Sequence, residues 1–144
     1  MQYLHLIWVW AGHITVLLCG SLAIWRGGWA ERSTAIVIWV AWFLTPVLQM
    51  QNYDPGMLIT VMDGIVVLIV FSISCYSRRI WTLFMTVFVL ASFLAHFAAD
   101  LVPYVGYFSY LTAMGLLGGY GVALTLGGAA LEAEYLRKKS TMHA

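Results

Sequence analysis

Long apolar runs separated by short polar breaks organise this chain. Five runs occur, at about 3–24, 34–50, 57–76, 80–99 and 107–131. Each fits the roughly 17–25 residues that a membrane-crossing helix needs. A backbone surrounded by lipid must satisfy its own hydrogen bonds, which closed helices do within one segment. The breaks carry turn formers: Trp25-Arg26-Gly27-Gly28-Trp29, Gln51 to Gly56 with a Pro-Gly pair, Ser77-Arg78-Arg79, and Asp100 to Gly106 with Pro103. The pattern predicts an all-α bundle of five transmembrane helices, one domain over 1–136, followed by a basic tail over 137–144. The second run is short and contains Pro46. It is read as a kinked span, because a re-entrant segment would put the first and third breaks on opposite sides of the membrane.

Charge gives the bundle a direction. Arg26 and Arg32 lie in or near the first break, Arg78 and Arg79 in the third, and Arg137, Lys138 and Lys139 in the tail. Basic residues in alternate connections mark the cytoplasmic side. The expected orientation therefore puts the N-terminus outside and the C-terminus in the cytoplasm, in a cell inner membrane. Composition agrees: 62% of the 144 residues are hydrophobic and 9% charged, against about 25% charged in a soluble domain. So little charge cannot coat a water-facing surface. A net charge of +1 offers no field for nucleic acid. No Lys or Arg precedes the first run, so a cleaved signal peptide is not expected. Tyr3, Trp25, Trp29, Tyr53, Tyr76, Trp81, Tyr104 and Tyr107 gather at run ends, as an aromatic belt at the two interfaces would. Cys19 and Cys75 read as buried thiols near the cytoplasmic ends of their helices.

The fifth run holds a stripe of small residues, Gly115, Gly119, Ala123 and Gly127, spaced by four. Such a face lets another helix approach closely, and Gly118, Gly121 and Gly128 widen it. The stripe serves either packing inside the bundle or docking of another subunit.

Ionisable groups inside a membrane are costly, so each is a site hypothesis. Five occur: His5 and His13 in the first helix, Asp63 in the third, and His96 with Asp100 in the fourth. Helix rise places His13 near the midplane and the other four in the outer half. Ser92, His96 and Asp100 follow at i, i+4 and i+8 and share one face. A histidine beside a carboxylate can exchange protons near neutral pH, as proton or quinone chemistry requires. Alternatively, Asp63 and His96 pair only to fix the packing of neighbouring helices. Two ligands are too few for a metal, and no cofactor is expected. Haem between His5 and His96, or a quinone, stands as the alternative. Asp54 reads as a turn residue, and Glu132 and Glu134 as a solvated helix end.

Asp63-Gly64-Ile65, then Ser77-Arg78-Arg79-Ile80-Trp81, Phe88, Leu90 and Ala95-His96 resemble small uncharacterised multispanning membrane proteins of alphaproteobacteria. The likeness covers the middle third of the chain. It implies a bacterial inner membrane and a paired Asp63 and His96, and it brings no activity. With no catalytic signature, the leading expectation is a small accessory or stabilising subunit of a larger, energy-converting inner-membrane complex. The alternative is a quinone-, haem- or proton-handling protein, and the third a small transporter or channel.

Overall fold

The computed structural model describes residues 2–51, 55–101, 112 and 115–142, and all of these except the turn residues 27–28 and 78–79 are helical. The helices are α1 (Gln2–Arg26), α2 (Trp29–Gln51), α3 (Pro55–Ser77) and α4 (Ile80–Leu101). A π-helical segment, Gly115–Gly121, runs directly into α5 (Val122–Met142). The apolar runs drive this outcome, and their hydroxyls do not disturb it. Thr15, Thr45, Ser72 and Thr86 each donate to the carbonyl four residues back, at 2.7 to 2.8 Å, so they need no partner from another helix.

Consecutive helices pack against one another, and α5 with its π-helical segment closes a ring between α4 and α1 while also touching α2. The core inside the ring is mostly small and aliphatic, with Val16, Ile38, Val70, Met85, Val122 and Leu126 and with Ala23, Ala35, Ala123 and Ala129, and it also takes in Trp81. Large apolar side chains face outward on every helix, among them Ile14, Phe43, Leu68, Phe84 and Leu124. Among the described residues, four stretches are long and apolar enough to cross a membrane: Trp29–Leu48, Gly56–Ser77, Ile80–Ala98 and Gly115–Lys139. An outward apolar surface on such helices is what a bilayer solvates.

Several boundaries differ from the apolar runs. The second helix starts at Trp29, well before its run, and continues through Pro46 to Gln51. Helix α5 runs on through Arg137, Lys138 and Lys139, so the expected basic tail forms its last turns. Residues 107–111, the start of the fifth run, lie outside the described residues, as do Asp54 and the side chains of Tyr3, Tyr53, Tyr104 and Tyr107.

Two tight turns and the end of α5 meet at one end of the bundle. At the first turn the Gly28 N–H donates to Glu31 Oε2 at 2.9 Å, and Arg32 Nε donates to the Gly27 carbonyl at 3.1 Å. A glutamate three residues into a helix that accepts from the residue before it is half of a capping box. A Cβ at Gly27 would collide with Glu31 and the Ala23 carbonyl, so the turn closes only with glycine there. At the second turn Arg78 takes a left-handed conformation with φ 51°. Its N–H donates to the Ser74 carbonyl at 3.1 Å, which caps the end of α3. Arg79 then pairs with Glu31, which is fully buried. Arg26 pairs with Glu134 at 2.6 Å, and Lys138 joins it at 3.3 Å. Glu134, expected at a solvated helix end, instead ties α5 to α1. The three basic clusters of the sequence thus share one basic end.

Trp25, Trp29 and Tyr76 are exposed at that end, as belt residues would be. Trp81 is not: it is buried in the core. Cys75 is exposed and Cys19 half-buried, so neither is the fully buried thiol expected.

Candidate functional site: an aspartate–histidine couple

Asp63 lies on α3 and His96 on α4, antiparallel neighbours joined by the short turn at 78–79. Counted at 1.5 Å per residue, Asp63 is about 21 Å and His96 about 24 Å from that turn. The two are in register, well away from the basic end. Gly64 helps bring the helices together: a Cβ there would lie 3.2 Å from the Phe93 ring. Phe93 also packs edge-on against Phe97 at 5.1 Å. Beside this contact His96 Nε2 and Asp63 Oδ2 are 2.9 Å apart. The His96 side chain is 11% exposed and that of Asp63 24%. Ser92, one turn before His96, is buried and lies where a side chain at Gly118 would stand, with Oγ 2.6 Å from that Cβ position.

Such a couple has two forms with no net charge, Asp⁻ with His⁺ and AspH with neutral His. Apolar surroundings favour net neutrality, and the short contact keeps both forms hydrogen-bonded. Adding or removing one proton leaves a net charge that must be met by water, by a neighbouring dipole or by a partner. The arrangement can therefore bind a proton at a defined place between two helices.

The remaining site residues distribute as follows. His13, on α1, packs edge-on against Trp42 of α2 at 4.8 Å, with Trp10 at 6.2 Å. His5 belongs to α1 and Asp100 to α4, and both side chains lie outside the described residues. Among the described residues, no group of three or more His, Cys, Asp or Glu side chains could hold a metal ion.

The small-residue stripe faces the bundle's own helices. Gly115 lies against Trp8 of α1 and Gly119 against Trp42 of α2, Ala123 is buried, and Gly127 meets Cys19 of α1. Gly118 and Gly121 face α4 instead, against Ser92 and Phe88. Tyr120 completes the seam, donating to the Trp8 carbonyl at 2.9 Å. The wider π-helical turn lets glycines of one short segment face both α1 and α4. The stripe thus packs against the bundle's own helices, with Gly115 and Gly127 half-buried. Gly128, beside the stripe, is exposed, and apart from its chain neighbours and its own helix backbone no atom lies within 4 Å of its Cβ position.

Sequence reasoning missed the Glu31–Arg79 pair. Arg79 read only as a mark of sidedness, and Glu31 fell in a polar break. The spacing of Gly28 to Glu31 at a helix start was the available signal. Comparison with protein families, curated proteins and solved structures finds no match for the chain.

Proposed function

We propose that the chain is a five-span inner-membrane protein of a bacterium, with its N-terminus outside and C-terminus cytoplasmic, and that it handles protons through Asp63 and His96. The observation that carries this reading is the 2.9 Å contact between an imidazole and a carboxylate on two apolar helices, toward the end opposite the basic one. A hydrophobic proton carrier such as a quinol, or a proton path through the outer half of the membrane, would use such a couple. Charge and polarity within a membrane are costly enough that function is the first hypothesis for them. The test is proton flux into liposomes that hold the purified protein and a trapped pH dye, with and without a quinol. Wild-type protein is expected to move protons under one of these conditions, and Asp63→Asn and His96→Gln to abolish the flux while the helical circular dichroism stays unchanged. Flux equal to that of empty liposomes under both conditions contradicts the reading.

A second reading, a small accessory subunit of a larger energy-converting membrane complex, is favoured by Gly128. A glycine on an open helix face, between exposed Leu124 and Leu131, leaves room for a helix of another protein to approach. Purification in mild detergent with mass spectrometry tests it. A defined set of partner subunits, lost on Gly128→Leu, supports it; a particle holding this chain alone contradicts it.

A further inference from the structure

The ion pairs at the basic end are unevenly shared. Glu134 holds Arg26 and Lys138, and Glu31 holds Arg79. Arg32 and Arg78 are exposed, and neither has a carboxylate partner among the described residues. Each stands near an exposed aromatic ring. Trp29 lies one turn before Arg32 on α2, and Tyr76 lies two residues before Arg78 at the end of α3. The two rings meet edge-on, with centroids 6.1 Å apart, and are 55% and 86% exposed. Indole and phenol rings favour the headgroup level of a bilayer.

Below this rim the same helix faces turn apolar. Arg32, Ile36 and Val40 follow at i, i+4 and i+8 on α2, all exposed. Tyr76, Ser72 and Leu68 do the same on α3, with the Ser72 hydroxyl tied to its own helix. On each helix a cation and a ring stand at the edge and an aliphatic stripe lies further in, the order of a phospholipid from headgroup to acyl chain. Arg78 adds a second argument. Its left-handed φ of 51° is a conformation that glycine adopts without cost. An arginine kept in that conformation points to a use for its side chain.

We infer that the α2–α3 rim at the basic end binds an anionic phospholipid, its phosphate taken by Arg32 and Arg78 and its acyl chains lying along the two stripes. The inference rests on the helices crossing a bilayer and is independent of proton handling by Asp63 and His96. It is tested with the full chain in nanodiscs of equal phosphatidylglycerol and phosphatidylcholine, followed by native mass spectrometry of the released protein. Nanodiscs expose both faces, so inverted insertion of a variant does not affect the reading. Wild-type protein is expected to retain phosphatidylglycerol over phosphatidylcholine. The double variant Arg32→Gln, Arg78→Asn is expected to lower that retention about 30-fold, at roughly fivefold per cation. Asparagine tolerates the left-handed turn, so the double variant keeps the bend. Lys139→Gln, a charge loss at the same end but away from α2 and α3, is expected to change retention less than about twofold. Equal retention of the two lipids by wild-type protein overturns the inference. So does a double variant that retains phosphatidylglycerol as wild type does, or a Lys139→Gln variant that loses as much as the double variant.

Discussion

A methyl group added at Gly20 of α1 would run into the indole of Trp39 on α2, whose Nε1 donates to the Val16 carbonyl at 3.3 Å. The indole is rigid and tied to the main chain of α1, so the helices would have to separate. Gly20→Ala is expected to lower stability by about 1–3 kcal/mol, as overpacking does. Gly128→Ala, on an open face, is expected to raise it by up to about 1 kcal/mol, through the lower entropy cost of alanine in a helix. Thermal unfolding in detergent followed by circular dichroism checks both. The sequence shows 13 glycines and a periodic stripe, but not which of them a neighbour's ring touches. Gly20 lies outside the stripe and is one of the tightest contacts, whereas Gly128, close to the stripe in sequence, touches nothing. Asp63 and His96 were more legible. A short turn makes α3 and α4 antiparallel, and counting residues from that turn puts both side chains at one depth.

At the scale of elements, Glu31 connects three structures: the start of α2, the turn after α1, and the turn before α4. It accepts from the Gly28 N–H at 2.9 Å and pairs with Arg79 while fully buried. Glu31→Ala leaves the Gly28 N–H and the Arg79 guanidinium without their acceptor and is expected to cost about 3 kcal/mol. Glu31→Gln still accepts from Gly28 and should cost less, and adding Arg79→Gln to Glu31→Ala should recover part of the loss. Detergent unfolding midpoints of these variants separate the cap from the ion pair; equal loss in Glu31→Ala and Glu31→Gln would place the whole effect on the charge. The early start of α2 has the same origin. Hydrophobicity places the run from about residue 34, whereas the cap starts the helix at Trp29. The π-helical turn of Gly115–Gly121 has no period of its own in the sequence. It follows from Ser92 and Phe88 of α4 on one side and Trp8 of α1 on the other, contacts between residues far apart in the chain.

The whole molecule is a ring of helices in chain order, closed by α5 between α4 and α1. The helical class, the apolar exterior and the gathering of basic residues were legible, because they depend on run lengths and on charge order alone. The ion pairs Arg26–Glu134 and Arg79–Glu31 were not, because they join side chains whose approach depends on how the ring closes. The basic end should face the cytoplasm, so an alkaline phosphatase fusion at the C-terminus is expected to be inactive and a fluorescent protein fusion bright; the opposite result would invert the bundle. The couple of Asp63 and His96 on which the proposal rests is tested most directly by nitrogen-15 NMR of the histidine imidazoles in nanodiscs. The His96 Nε2 signal, assigned by its loss in His96→Gln, is expected to show a hydrogen bond to the Asp63 carboxylate. Asp63→Asn should move that signal, because an amide replaces the carboxylate 2.9 Å from the ring nitrogen. A His96 signal that is identical in wild type and Asp63→Asn would contradict the Asp63–His96 couple.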